Sequence, residues 1–185
     1  MSFYVIIPAR YGSHRLPGKP LLDIVGKPMI QHVYDRAKKS GANEVIIATD
    51  DARIQSAAEE FGAKVLMTAV SHTSGTERIQ EVVSELGLDP LQIIVNLQAD
   101  EPLMPPSVID QVACNLKEKN EVGIATLCEL ISSRSEIEDP NVVKVVMNER
   151  GEALYFSRSI IPHQGGGDNS HDYFRHIGIY AYRVM

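Results

Sequence analysis

Three cations, Arg10, Arg15 and Lys19, are packed into the segment IPARYGSHRLPGKPL, residues 7–21, among Gly12, Gly18, Pro8, Pro17 and Pro20. Arginine holds phosphate oxygens bidentately and lysine supplies a point charge. The glycines let the backbone bend close to a guest, and the prolines limit its freedom. A phosphate-bearing ligand suits such a loop; a solvated basic turn is the plainer alternative. The orders G-x-x-x-x-G-K-[ST] and G-x-G-x-x-G are both absent, which argues against P-loop hydrolases and dinucleotide-dependent dehydrogenases.

The segment IIVNLQADEP, residues 93–102, sets Asp100 and Glu101 directly after an apolar run. A carboxylate facing a polyphosphate there could hold Mg²⁺, a hard ion that takes oxygen ligands and is often shared with substrate phosphates, and Asp100 is the preferred ligand. An acidic turn before Pro102 is the competing reading. Asp50 and Asp51 close an earlier apolar run but lead straight into a helical pattern, so they read as N-terminal caps.

Other segments carry weaker signals. In SHTSGTERI, residues 71–79, Ser74, Gly75 and Thr76 precede a helix with Arg78 in its first turn. Backbone and hydroxyl groups there could read a base edge while Arg78 reaches a carbonyl or phosphate, although a capping sequence around Thr76 explains the same residues. LYFSRSIIP brings Arg158, and FRHIGIYAYR sets His176, Gly178 and Tyr180 on one face of an alternating strand. Arg158 and His176 could bind an acidic, hydroxylated second substrate; a structural histidine is the alternative. The glycines of HQGGGDNSH, residues 163–171, have no following helix and no lysine, so a flexible surface loop is expected.

The elements that must position these residues follow from hydrophobic periodicity. Apolar runs at 3–7, 45–49, 64–67, 92–97 and 122–127 are too continuous for one-sided antiparallel strands. Between them lie helical stripes: Met29 to Ala37; Ile54, Ala57, Ala58 and Phe61; Ile79, Val82, Val83 and Leu86; Val108, Ile109, Val112, Ala113 and Leu116. Gly41, Gly62 and Gly87 stand where helices should stop, and Pro28 and Pro105 where they should start. Alternating strand and helix predict a doubly wound, mostly parallel α/β sheet, whose ligands gather beyond the carboxyl ends of the strands. After residue 130 a hairpin, 142–147 with 153–156, and a strand, 174–182, are expected as a C-terminal extension of one domain. The first run is followed by some twenty residues before the Met29 helix, a length that usually marks a functional loop.

The chain has 185 residues, 44% hydrophobic and 23% charged, in keeping with a single substantial core. Its net charge is −6, yet residues 1–40 hold seven Lys or Arg against Asp23 and Asp35, a balance of +5; the remainder therefore carries −11. A small basic zone on an acidic body suits a compact anionic ligand, and argues against nucleic acid or anionic membrane as partners. The N-terminal apolar stretch is too short for a signal or membrane segment, so a cytoplasmic protein is expected. Cys114 and Cys128 lack metal-ligand spacing and read as packing residues.

Taken together, IPARYGSHRLPGKPL, HTSGTER, NLQADEP, VKVV, LYFSR and RHIGIYAYR resemble the 3-deoxy-manno-octulosonate (Kdo) cytidylyltransferase family, the CMP-Kdo synthetases of Gram-negative lipopolysaccharide assembly, from residue 2 to residue 183. The opening motif is shared with other cytidylyltransferases, including those acting on sialic acid; RLPGKPL with SGTER and GIYAYR narrows it to Kdo. The resemblance implies the nucleotide-diphospho-sugar transferase form of the α/β fold, with a nucleotide-binding core over 1–130 and a sugar-acid-binding and dimerisation extension over 131–185. It also implies attack by the anomeric hydroxyl of Kdo on the α-phosphorus of CTP. By the same resemblance Arg10, Arg15 and Lys19 clamp the triphosphate, Ser74, Arg78 and Gln98 surround the cytidine, and Asp100 binds Mg²⁺. Lys19, Asp100 and Arg10 would be the catalytic set, Arg158, His176 and Tyr180 would hold the sugar acid, and the protein would act as a homodimer. Two departures stand out. The family's usual glycine before the metal aspartate is Ala99 here, which fits only if that residue avoids positive φ. Family members also continue beyond the position of Met185, with a region resembling the source of a second metal aspartate and further sugar contacts. A close alternative is the same chemistry on another 2-keto sugar acid, and a third is a CTP-binding fragment without turnover.

Overall fold

The computed structural model describes residues 2–12, 16–163 and 172–184. Two compact units emerge, Met1–Ala125 with Ile179–Met185, and Thr126–Gly178. The division differs from an expected break near 130 because the last strand is shared in sequence: its residues from Ile179 onward pair within the first unit.

In the first unit the strands are β1 (Phe3–Ala9), the two-residue β2 (Asp23–Ile24) and β3 (Lys27–Pro28), β4 (Glu44–Thr49), β5 (Lys64–Met67) and β6 (Ile93–Asn96). The helices are α1 (Met29–Ala37), α2 (Ala52–Glu60), α3 (Gly75–Leu86) and α4 (Pro106–Glu118). The sheet runs β5-β4-β1-β6 with all neighbours parallel. Val5, Ile6 and Ile7 are all fully buried because helices cover both faces of β1. On one face Ile6 packs with Ile46, Ala48 and Ile94 against Ile79, Val82 and Val83 of α3, the stripe the periodicity predicts. Elsewhere α1 contacts β1, β4 and α4.

Helix starts follow local chemistry. Pro28 and Pro105 occupy the N-cap positions of α1 and α4, and Asp51 caps α2 by accepting from the Arg53 amide. The cap of α3 is Ser74, not Thr76: its hydroxyl accepts from the Glu77 amide, an S-x-x-E pattern in which Glu77 in turn accepts from the Thr73 amide at 2.7 Å. Gly87 ends α3 in the left-handed region, φ 60°.

The long connection after β1 is not plain loop. Its described residues include a 3-10 turn, Lys19–Leu21, and the β2–β3 ribbon, whose turn residues Val25 and Gly26 both have positive φ, 52° and 79°. Neither is visible as periodicity, since both are too short to repeat. From β1 the connections run to β4 on one side, and α3 then returns the chain to β6 on the other, so the carboxyl ends of β1 and β6 meet where the strand order reverses.

The second unit holds most of β7 (Ile124–Leu130), the short α5 (Arg134–Glu138), the antiparallel pair β8 (Lys144–Met147) and β9 (Ala153–Ser157), and the first half of β10 (Phe174–Arg183). Phe174 and Arg175 pair with Val145 and Lys144. The second half of β10 lies in the first unit, antiparallel to β6, with Tyr180 opposite Asn96.

Candidate nucleotide site

Beyond the reversal point lies a cavity of about 570 Å³ whose lining includes Arg10, Lys19, Gln98, Ala99 and Asp100. Arg10 follows β1 directly, Lys19 opens the 3-10 turn, and Gln98 to Asp100 follow β6. The Lys19 ammonium donates to Asp100 Oδ2 at 2.7 Å, with both side chains more than a third exposed. A cation from the β1 connection and a carboxylate from the β6 end thus share one cavity, 81 positions apart in sequence. Glu101, the adjacent carboxylate, is exposed as a residue, yet desolvation of its carboxyl and then the Asp100 charge push its pKa up.

Ala99 is buried and is not among the residues with positive φ; among the described residues other than glycine only Val25 is. The methyl group beside Asp100 therefore brings no backbone strain.

A second cavity of about 140 Å³ adjoins the first, sharing Pro8, Arg10 and Gln98, and is closed by His72, Thr73, Ser74, Gly75 and Arg78. Gly75 packs closely there: a Cβ would lie 3.2 Å from Pro8 Cγ, a tight contact. Gln98 Nε2 donates to the buried Asn96 Oδ1 at 3.2 Å, which orients its amide.

Arg78 lines this smaller cavity but does not offer its guanidinium as expected. It is 3% exposed; Nη2 donates to Asp50 Oδ2 at 2.7 Å and Nη1 to Thr68 Oγ1. Thr68 in turn is tied to the Thr49 carbonyl by its amide at 2.8 Å and by its hydroxyl at 3.1 Å. Asp50 is accordingly no helix cap; of the expected capping pair only Asp51 caps. The physical reason is burial: a charged guanidinium turned inward needs a carboxylate, and Asp50, directly after β4, supplies it.

Sequence reasoning passed over His72, whose Nε2 lies within hydrogen-bond distance of Glu81 Oε2. Glu81 also accepts from the Ala69 amide at 2.9 Å, and these two bonds, the amide first, hold its carboxyl below the usual range. Thr73, Ser74 and Gly75 are thus anchored by His72–Glu81 on one side and Arg78–Asp50 on the other. The S-x-x-E cap was the one readable signal of this anchoring.

Arg15 lies outside the described residues, as does 164–171 of the glycine-rich segment. Of the expected sugar-acid residues, Arg158 and His176 belong to the second unit and Tyr180 to the first. Arg158 is exposed, and its Nη1 donates to the carbonyls of Pro140 and Asn141 at 3.0 and 3.3 Å. His176 Nε2 is 2.8 Å from Thr126 Oγ1, its ring meets Phe156 edge-on at 4.9 Å, and burial pulls its pKa down. Tyr180 stacks with Tyr182 at 6.0 Å, and burial, then the Tyr182 charge, raises its pKa.

Comparison with known proteins bears on this geometry. A family profile described as cytidylyltransferase matches residues 4–185. The 3-deoxy-manno-octulosonate cytidylyltransferase of Hahella chejuensis is 56% identical over 191 residues, covering 99% of this chain and 75% of that protein. The enzyme of the same name from Cellvibrio japonicus is 58% identical over 193 residues, covering all of this chain and 76% of the relative. A solved structure of CMP:2-keto-3-deoxy-manno-octonic acid synthetase complexed with CTP superposes with a TM-score of 0.91 at 49% identity, over 99% of this chain and 74% of that one.

Proposed function

The chain belongs to the cytidylyltransferase family, and on that premise we propose that it transfers CMP from CTP to Kdo, giving CMP-Kdo and pyrophosphate. The observation that carries the reading is the pairing of Lys19 with Asp100 at 2.7 Å in the larger cavity. Phosphates need fixed cations, and Arg10 and Lys19 supply them beside a space large enough for a triphosphate. The adjoining smaller cavity, walled by Ser74, Gly75 and Gln98, suits the pyrimidine, with Arg78 holding that wall rather than the base.

Mg²⁺ fits this donor set as a shared ion. Among the described residues no group of three or more His, Cys, Asp or Glu could hold a metal alone, whereas Asp100 offers a hard oxygen at the cavity and already accepts a cation, the Lys19 ammonium. Bound to Asp100 and to substrate phosphates, the ion would neutralise charge on the departing pyrophosphate.

In the reaction the anomeric hydroxyl of Kdo attacks the α-phosphorus of CTP, its proton passing to solvent, and the bond from the α-phosphorus to the pyrophosphate oxygen breaks. Arg10 and Lys19 orient the triphosphate and balance its charge, so catalysis rests on positioning and electrostatics without a covalent nucleophile. Arg158 and His176 bind the sugar acid in this reading, and Arg15 joins the phosphate clamp. The product would supply activated Kdo for lipopolysaccharide assembly in the cytoplasm, a setting supported by two cysteines present as free thiols and by the absence of any membrane-spanning helix among the described residues. A homodimer is supported by the exposed apolar residues Leu154, Tyr155, Phe156 and Ile160 on and after β9; sedimentation velocity tests it.

The functional test is pyrophosphate release from CTP and Mg²⁺ with Kdo, sialic acid or no acceptor. Release with Kdo alone is expected; release with sialic acid and none with Kdo would refute the assignment.

A further inference from the structure

The wall of the larger cavity is held from an element that does not line it. Arg53 sits in the first turn of α2, and its guanidinium carbon lies 3.3 Å from the centroid of the Tyr11 ring. The guanidinium is fixed in that position, because Nε and Nη2 donate to the two carboxylate oxygens of Asp51 at 2.9 and 2.6 Å. Asp51 is in turn the cap of α2, accepting from the Arg53 amide at 2.9 Å, and its side-chain bond to Arg53 is the largest cause holding its carboxyl below the usual range.

Tyr11 transmits this constraint to Gly18. The Tyr11 carbonyl accepts from the Gly18 amide at 2.9 Å, and a Cβ on Gly18 would meet the Tyr11 ring at 3.0 Å. Gly18 has φ 71°, a conformation that favours glycine, and it caps the 3-10 turn that starts at Lys19. The Lys19 side chain then reaches Asp100.

We propose that Arg53 and Tyr11 are positioning residues for the nucleotide site: their stack, anchored on the cap of α2, fixes Gly18 and thereby the direction in which Lys19 enters the triphosphate cavity. The proposal deepens the reading of that cavity as the CTP site and rests on it. Neither residue lines either cavity, so both act through Lys19 rather than on the nucleotide. The stack and the fork to Asp51 both need a planar guanidinium, so lysine preserves the charge but loses the geometry.

The test combines CTP titration calorimetry, amide hydrogen exchange at Gly18 and Leu21, and thermal melting, on Arg53→Ala, Arg53→Lys, Tyr11→Phe, Tyr11→Leu and the double variant Arg53→Ala/Tyr11→Leu. An exposed guanidinium–ring stack corresponds to about two- to fivefold in an equilibrium constant. Both Arg53 variants should weaken CTP by that factor, Tyr11→Phe should match wild type, and the double variant should be no weaker than Tyr11→Leu alone. Gly18 and Leu21 should exchange faster in every weakened variant at unchanged melting temperature. Wild-type affinity in Arg53→Lys, additive losses in the double variant, or unaltered exchange at Gly18 and Leu21 would each overturn the proposal. Exchange needs no ligand, so a wild-type chain that fails to bind CTP would count against the nucleotide reading alone and leave exchange to decide on the stack.

Discussion

Lys19 Nζ and Asp100 Oδ2 stand 2.7 Å apart, each the charge partner of the other. The lysine that the nucleotide reading assigns to phosphate is therefore already neutralised by the carboxylate assigned to the metal. A triphosphate held by Lys19 would compete with Asp100 for the ammonium and meet its negative charge nearby.

A counterintuitive binding result follows for Asp100→Asn. In the presence of a chelator, removal of the carboxylate should tighten CTP binding by about threefold or more, since the partly exposed pair no longer has to be broken. With Mg²⁺ the same variant should lose about a hundredfold in turnover. Calorimetry and a pyrophosphate assay on one preparation give both values; weaker chelator-condition binding would contradict the self-neutralised site.

Asp50 and Arg78 make the structural counterpart of that pair. Because Arg78 is nearly fully buried, Asp50→Ala leaves an uncompensated guanidinium and should destabilise the protein by about 3 kcal/mol, by denaturant unfolding. Adding Arg78→Met should recover part of the loss, whereas an Arg78 that chiefly contacts the nucleotide would leave stability unchanged in either variant.

The sheet and the main helices were legible in the sequence because continuous apolar runs and i, i+3, i+4, i+7 stripes mark them, but two-sided burial holds only for β1, β4 and β6: β5 and β7 leave residues such as Met67 and Ile124 exposed. Long-range pairing at the reversal point was reachable as well, since any strand-end residue of a parallel sheet lies on the ligand side. Side-chain direction was not: Arg78 stands in a first helical turn, where an outward, anion-facing arginine and an inward, ion-paired one have the same sequence. Arg53 was passed over for a similar reason, as nothing local indicates that a residue of α2 reaches back over the ring of Tyr11.

Val25 adopts φ 52° while 94% exposed, an unfavourable region for a β-branched residue in a turn where Gly26 also has positive φ. Val25→Asn should raise the unfolding free energy by about 1 kcal/mol. An unchanged or lowered denaturation midpoint would show that this turn does not carry the strain.

His176 supplies a pH dependence of known sign. Burial lowers its folded pKa below the ordinary 6.5, so the unfolded chain takes up the proton first. The neutral ring's contribution to stability is full above about pH 6.5 and is lost as pH falls through the depressed folded value. Denaturant midpoints measured from neutral to mildly acidic pH should fall more steeply for wild type than for His176→Gln; parallel profiles would contradict the assignment.

The most direct test of the account is a crystal structure of the protein with CTP and Mg²⁺. The β- and γ-phosphates should lie between Lys19 and Asp100, with those side chains separated beyond 2.7 Å and the pyrimidine against Ser74 and Gly75. A nucleotide bound elsewhere, with the Lys19–Asp100 pair intact, would contradict it.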